Sequence, residues 1–304
     1  MAEARPELVL DARATLGEGP VWDDRRQRLV WVDILERRVH RFDPASGRCE
    51  SRTVPRPVGA AALAEDGSLL LAVQGGFAWL DFDADRYALV AEVEADRPDL
   101  RMNDGACDPA GRFWAGSMAF DERPGAGALY RVDPAPADGP APFGARVTQV
   151  LRDVTVSNGI DWSSDRRRMY YVDSGTRRVD VFDFDVEHGT IANRRPLVEI
   201  EREAGVPDGL TVDAEDHVWV ALWGGGAVRR YAPDGRLDRA IPLPVTHPTS
   251  CAFGGPDLAD LFVTSATVAL APADRARQPG AGGIYRLRPG VAGRPPYRWG
   301  RRPA

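Results

Sequence analysis

Glu18, Asn103, Asn158 and Asp208 share one recurring address in this chain. Each stands five residues before a turn residue, at Asp23, Asp108, Ser163 and Asp213. Two carboxylates and two amides gathered at one point form an all-oxygen donor set. Carboxylates confined together repel and raise each other's pKa unless a cation lies between them. Oxygen donors suit hard divalent ions such as Ca2+, Mg2+ or Mn2+; Zn2+ also accepts carboxylates but more often takes nitrogen or sulfur. With only three or four protein donors, the ion keeps open positions for water or substrate, which is the catalytic arrangement. Singly, each of these residues beside glycine is an ordinary turn residue. Their common address makes them a candidate metal site.

That address comes from an internal repeat. Small and apolar residues lead to an acidic or small turn and then to a short apolar-aromatic strand, as in Glu18 to Asp23 followed by Leu29 to Asp33. Copies begin at 18, 59, 103, 158, 208 and 249, at intervals of 41, 44, 55, 50 and 41 residues. Periods of this size with several short strands each are the signature of propeller blades. Within the fourth copy, residues 159–162 and 169–173 read as a hairpin, and 178–183 as a third strand. Asp66-Gly67, His188-Gly189 and Asp234-Gly235 supply hairpin reversals. Residues 7–10 are expected to add an edge strand to the last blade beside 283–287, closing the ring. The predicted fold is an all-β, six-bladed β-propeller of four-stranded antiparallel blades, a single domain over residues 1–304. A pair of β-sandwiches does not account for six similar periods. Equivalent positions on the innermost strands of a propeller converge on its axis, while Gly59 and Thr249 occupy the two remaining addresses without a strong ligand.

Composition narrows the chemistry. The 304 residues are 43% hydrophobic and 28% charged, enough apolar content for a sizeable core. Net charge is −6 with no basic run longer than three arginines, which excludes nucleic acid as an expected partner. All 39 basic residues are arginine, so no lysine exists to form a Schiff base. The 31 glycines and 25 prolines argue against long helices. Cys49, Cys107 and Cys251 are widely separated and form no CxxC pair, so they suggest neither a disulfide framework nor a cysteine zinc site. No secretory leader and no membrane-length apolar run is visible, and a cytoplasmic location is the expectation. The absence of G-x-S-x-G removes the nucleophile elbow of a Ser-His-Asp hydrolase.

The chain resembles the regucalcin/gluconolactonase family of six-bladed propellers, also called senescence-marker-protein-like. The resemblance runs from Leu16-Gly-Glu-Gly-Pro-Val-Trp22 through Arg101-Met-Asn-Asp-Gly105 and Ser157-Asn-Gly-Ile-Asp161 to Val206-Pro-Asp-Gly-Leu210. Ser250-Cys-Ala-Phe-Gly-Gly255 extends it into the last blade. The resemblance implies one divalent metal ion (Ca2+, Zn2+, Mg2+ or Mn2+) held by Glu18, Asn158 and Asp208, and substrate contacts from Arg101 and Asn103. It further implies hydrolysis of a sugar lactone to its aldonic acid. An acidic residue near the mouth is also implied, for which Asp121 and Glu122 compete.

On physical grounds a metal withdraws charge from the lactone carbonyl, and Asp208 is the candidate base that activates water. Arg101 offers a planar fork of donors for substrate, its plainer alternative being a solvent-exposed charge. Asp104 is expected to fold back on its own backbone, and His247 to sit at the surface or as a cap rather than in the site. Most tryptophans are expected between blades, whereas the glycine run after Trp223 leaves space near the mouth. Two rival functions use the same fold. One is a noncatalytic Ca2+-binding propeller; the other is a metal-dependent hydrolase of aryl esters or organophosphates.

Overall fold

The structure, a computed structural model, describes residues 5–134 and 145–300; residues 1–4, 135–144 and 301–304 of the expected 1–304 domain lie outside the described residues. Short alternating segments separated by turns fold into six four-stranded sheets. Their first strands are Gly17–Asp23, Val58–Leu63, Leu100–Cys107, Ser157–Trp162, Val206–Val212 and Pro248–Gly254. These strands touch one another in succession around a ring, so they are the innermost of each blade. Strands within each sheet pair antiparallel, giving the six-bladed propeller that the repeat predicts. The fourth blade contains the expected hairpin, Ser157–Trp162 against Arg168–Asp173, followed by Arg178–Asp185. Glu7–Leu10 pairs with Ile284–Leu287 as the outer strand of the sixth blade, and the Arg286–Glu7 ion pair of 2.9 Å ties the two. The first and last strands of the described chain therefore share one sheet, which closes the ring.

Tryptophans fill the wedges between blades. Trp22 of the first blade stacks on Phe262 of the sixth, with ring centroids 5.6 Å apart. Trp114 meets Trp162 edge-on at 6.1 Å across the third and fourth blades, and Trp219 meets Phe253 at 5.9 Å across the fifth and sixth. Edge and offset geometries of this kind are the favourable ones for aromatic quadrupoles. The repeated turn residue anchors them. Asp213, fully buried, accepts from the Glu215 and His217 backbone amides, from Trp219 Nε1 at 2.9 Å and from Arg230 Nε at 2.8 Å. Asp108 does the same for Ala110, Arg112 and Trp114. An acidic residue recurs at this address because one carboxylate can satisfy a turn, a guanidinium and an indole together.

The end of the ring where these turns lie is closed by the C-terminal segment, a role that nothing in the repeat pattern assigns. Gly293 N bonds Leu258 O, and Ala292 O accepts from Ala214 N. Arg294 Nη2 donates to Trp162 O at 2.5 Å, and Arg298 Nη2 to Asp23 at 2.8 Å. Trp299 N then reaches Leu63 O, and Gly300 N reaches Gly111 O. Those partners belong to the sixth, fifth, fourth, first, second and third blades, so the segment touches every blade. Behind it a 120 Å³ cavity remains, bounded by Arg294 to Tyr297 on one side and by inner-strand residues including Asp104 and Cys251 on the other. Among the described residues no helix is long and apolar enough to cross a membrane, and the three cysteines are free thiols.

Burial alone would push the Asp23 carboxyl up, yet Arg298 and Arg26 hold it below the usual carboxylate range. Arg298→Ala leaves that carboxylate short of its main partner and unpins the segment. Chemical denaturation should register a loss of about 3 kcal/mol; a change below about 0.5 kcal/mol would show that the clasp contributes nothing to stability.

Candidate metal and substrate site

Every inner strand slips register against its neighbour at the open end of the ring. The slips fall at Glu18/Val21, Val58/Ala60, Met102/Gly105, Ser157/Ile160, Pro207/Leu210 and Pro248/Cys251. A β-bulge bends the strand and re-aims its side chains. All six repeat addresses lie at these bulges. Gly59 occupies its address because a Cβ there would come within 2.3 Å of Asn103 O on the next blade. Thr249 uses its hydroxyl to donate to Gly17 O at 2.5 Å, beside Glu18. The remaining four addresses carry the oxygen-bearing side chains, and all four are buried.

Glu18, Asn103, Asn158 and Asp208 line a common cleft of 440 Å³, together with Arg101 and Ser174. Two carboxylate clasps set the strands that bear them. Asp33 accepts from Thr15 N at 2.8 Å and Leu16 N at 3.1 Å, just ahead of Glu18. Asp173 accepts from Thr155 N at 3.1 Å and Val156 N at 3.0 Å, just ahead of Asn158.

The charges here are poorly compensated. Burial first, then Asp208 and Asp104, push the Glu18 carboxyl well above its ordinary pKa, against the Gly19 amide and Arg101. Asp208 is driven the same way by burial, Asp104 and Glu122, while the Asn158 amide and Arg101 pull it back. Burial lowers Arg101 to about 10 in spite of Glu18, Glu122 and Asp208. One guanidinium thus faces two sequestered carboxylates at the cleft. Among the described residues, no group of three or more His, Cys, Asp or Glu side chains is arranged to hold a metal. Any cation here would therefore need the amide as well.

The two amides at equivalent addresses are not in equivalent states. Asn103 Oδ1 accepts from Arg101 Nη1 at 2.5 Å, and its Nδ2 donates to Ser157 O at 2.7 Å. Both ends are engaged by protein. Asn158 Nδ2 donates to Ser174 Oγ at 3.0 Å, but its Oδ1 is buried without any hydrogen-bond partner. A buried acceptor left alone costs free energy, and a hard cation is the partner that would satisfy it beside two carboxylates. The residues present fit a divalent ion.

Other expectations meet the structure differently. Arg101 is a buried wall of the cleft rather than an exposed charge, with its guanidinium 6.0 Å from the Phe120 ring centroid. Asp104 accepts from its neighbour Gly105 N at 2.7 Å and faces the lower cavity, its pKa raised by burial to about 6. Glu122 lines the cleft, whereas Asp121 points to Arg123 at 2.9 Å. Glu122 adopts φ 55°, uncommon for a side chain other than glycine. His247 is neither surface nor cap. It is buried and stacked on Trp223 at 4.1 Å with an interplanar angle of 1°, so it backs a wall of the cleft. Ser174 was not singled out by the repeat. Aligning the ends of the second strands, Asp33-Ile34 with Asp173-Ser174, would have exposed it as the polar member.

Residues 16–267 match the family model described as SMP-30/Gluconolactonase/LRE-like region. The chain belongs to this family. It is 38% identical over 304 residues to regucalcin from Gallus gallus, an alignment covering 98% of this chain and 99% of that protein. The solved structure of a calcium-binding protein, regucalcin from Agrobacterium tumefaciens, superposes with a TM-score of 0.89 at 33% identity, covering 98% of this chain and 100% of that one. A luciferin-regenerating enzyme gives a TM-score of 0.88 at 31% identity, with coverage of 97% and 99%. The chain is thus a propeller of the regucalcin and gluconolactonase type.

A carboxyl whose pKa is raised by folding binds its proton more tightly in the folded state. Stability is therefore lost as pH climbs from the ordinary carboxylate range through the raised value. In chelator-treated protein, Asp208→Asn removes one of the repelling charges. Its Tm at pH 8 should exceed that of the parent by about 2–4 °C, with a shallower decline between pH 5 and 8. A Tm at or below the parent's at pH 8 would contradict this electrostatic picture.

Proposed function

We propose that this protein is a metal-dependent lactonase that hydrolyses a sugar lactone to its aldonic acid. The observation that carries the reading is the unpartnered Asn158 Oδ1, buried beside Glu18 and Asp208 at the wall of the open cleft. Glu18, Asn158 and Asp208 would hold the divalent ion. What such an ion supplies when bound is Lewis acidity toward a carbonyl oxygen and neutralisation of the paired carboxylates.

The chain's own residues do the rest. The cleft volume of 440 Å³ suits a small polar ligand. Arg101 offers substrate hydroxyls or the ring oxygen the donors that Asn103 and the Met102 carbonyl leave free. Asn103 Nδ2 keeps one N–H beyond its bond to Ser157 O for the same face. Asp208 takes a proton from water as the water oxygen bonds to the lactone carbonyl carbon. When the bond from that carbon to the ring oxygen breaks, the proton passes to the departing alkoxide, completing the aldonic acid. Glu122, which lines the cleft, would accept from substrate hydroxyls. Phe120 and Trp223 provide flat apolar walls for the sugar's C–H faces.

Asp208→Ala should reduce kcat on aldonolactones by at least about 100-fold while the circular dichroism spectrum stays that of the parent. Retained turnover in that folded variant removes Asp208 as the base. Glu122→Gln should lower kcat/KM by roughly tenfold, the loss of one charge-assisted contact, with Asp121→Asn unchanged; the reverse pattern reassigns the mouth. A strong chelator should abolish turnover, and a divalent ion should restore it.

The calcium-binding description of the Agrobacterium relative favours one second reading, a propeller that binds Ca2+ without catalysis. Saturable Ca2+ binding with no turnover across five- and six-membered aldonolactones would decide for it.

A further inference from the structure

Two blades of the ring carry the same backbone device with one difference. In the first blade Asp33 clasps residues 15 and 16, and Ile34 N donates to Leu16 O at 3.0 Å. In the fourth blade Asp173 clasps residues 155 and 156, and Ser174 N donates to Val156 O at 3.0 Å. The residue after the clasping aspartate is thus isoleucine where the ring presents Glu18, and serine where it presents Asn158. A carboxylate exposes oxygen whichever way it turns. A primary amide does not, because half a turn replaces its acceptor by a donor.

Ser174 is buried, and its backbone is pinned at the start of the short Ser174–Thr176 turn, which Asp173 caps. Its hydroxyl has a single proton, and Pro207 O lies 2.7 Å away with no proton of its own to give. The serine must therefore donate to Pro207 and can only accept from Asn158. That condition forces Nδ2 toward Ser174, at 3.0 Å, and turns Oδ1 away, where it is buried and unpartnered. Pro207 immediately precedes Asp208, so one hydroxyl also links the amide to the strand that carries the second carboxylate.

We infer that Ser174 is a positioning residue that locks the Asn158 amide with its oxygen toward the cation. The inference rests on the metal reading above and goes beyond it by naming the group that makes Asn158 a ligand. Without the hydroxyl only the attraction of the amide N–H to Asp208 still favours this orientation, and the opposite one presents N–H to a cation.

The test is calorimetric titration of chelator-treated protein with Ca2+ alone and with Zn2+ alone, so that the readout is binding and not turnover. Ser174→Ala should weaken binding by roughly 10- to 100-fold, the usual effect of losing a ligand's outer partner. Ser174→Thr, which keeps the hydroxyl, should recover most of the affinity. In an Asn158→Asp background the carboxylate has no nitrogen to misplace, so adding Ser174→Ala should change affinity less than about threefold; this pairing is also the reading to take if Ser174→Ala alone fails to fold. Parent-like affinity in folded Ser174→Ala overturns the inference while leaving the metal reading intact, and so does an equal loss in both backgrounds. A parent protein that binds neither ion overturns the metal reading itself and the inference with it.

Discussion

The close approach of six inner strands around one axis is the constraint on which this molecule depends. Their backbones come so near that several positions admit no side chain. A Cβ on Gly159 would lie 2.4 Å from Leu210 N, and one on Gly59 would lie 2.3 Å from Asn103 O. Strands packed so tightly cannot also run in regular register with their outer neighbours, and each releases the conflict in a bulge at the same level. The bulges create the site. They aim one residue per blade at the axis, and sequence decides only which of the six carry oxygen.

Position alone, however, does not make a ligand. Asn103 and Asn158 stand at the same address with the same side chain, yet their hydrogen bonds divide their roles. Arg101 and the Ser157 carbonyl engage both ends of Asn103, which ties it to the protein. Asn158 has only its nitrogen engaged, and its oxygen is buried without a partner in a cleft that it shares with two carboxylates of raised pKa. Such an arrangement works against stability in the absence of a cation, which is the usual mark of a functional centre rather than of a structural network.

Much of this was legible in the sequence, and for a physical reason. Each blade needs a turn and an inner-strand bulge, and two of them share the same buried contact, Asp108 with Trp114 and Asp213 with Trp219, so the phrase repeats visibly. A repeat also gives every residue an address on the axis, which is why Glu18, Asn103, Asn158 and Asp208 could be grouped across nearly 200 positions, whereas the narrower set without Asn103 came from the family resemblance. Features that do not repeat stayed hidden. The choice between Asp121 and Glu122 turns on which of two adjacent acids lines the cleft and which pairs with Arg123. The burial of His247 against Trp223 depends on two chain segments whose stacking leaves no periodic trace. Ser174 carries its meaning in the direction of a single O–H bond, set by a carbonyl in the next blade.

The C-terminal segment makes the two faces of the ring unlike. A propeller axis is a channel open at both ends unless something stops it, and buried carboxylates reached from both sides would be hydrated from both sides. Here Arg294, Arg298 and Trp299 tie the chain's end across the turn face of all six blades. Glu18 and Asp208 line the cleft that Arg101 and Glu122 also line, on the side away from this segment. Desolvation is the largest influence on both carboxylates. A plug far from the cleft thereby helps to set its electrostatics, because the dielectric around a charge depends on every route by which water can approach it.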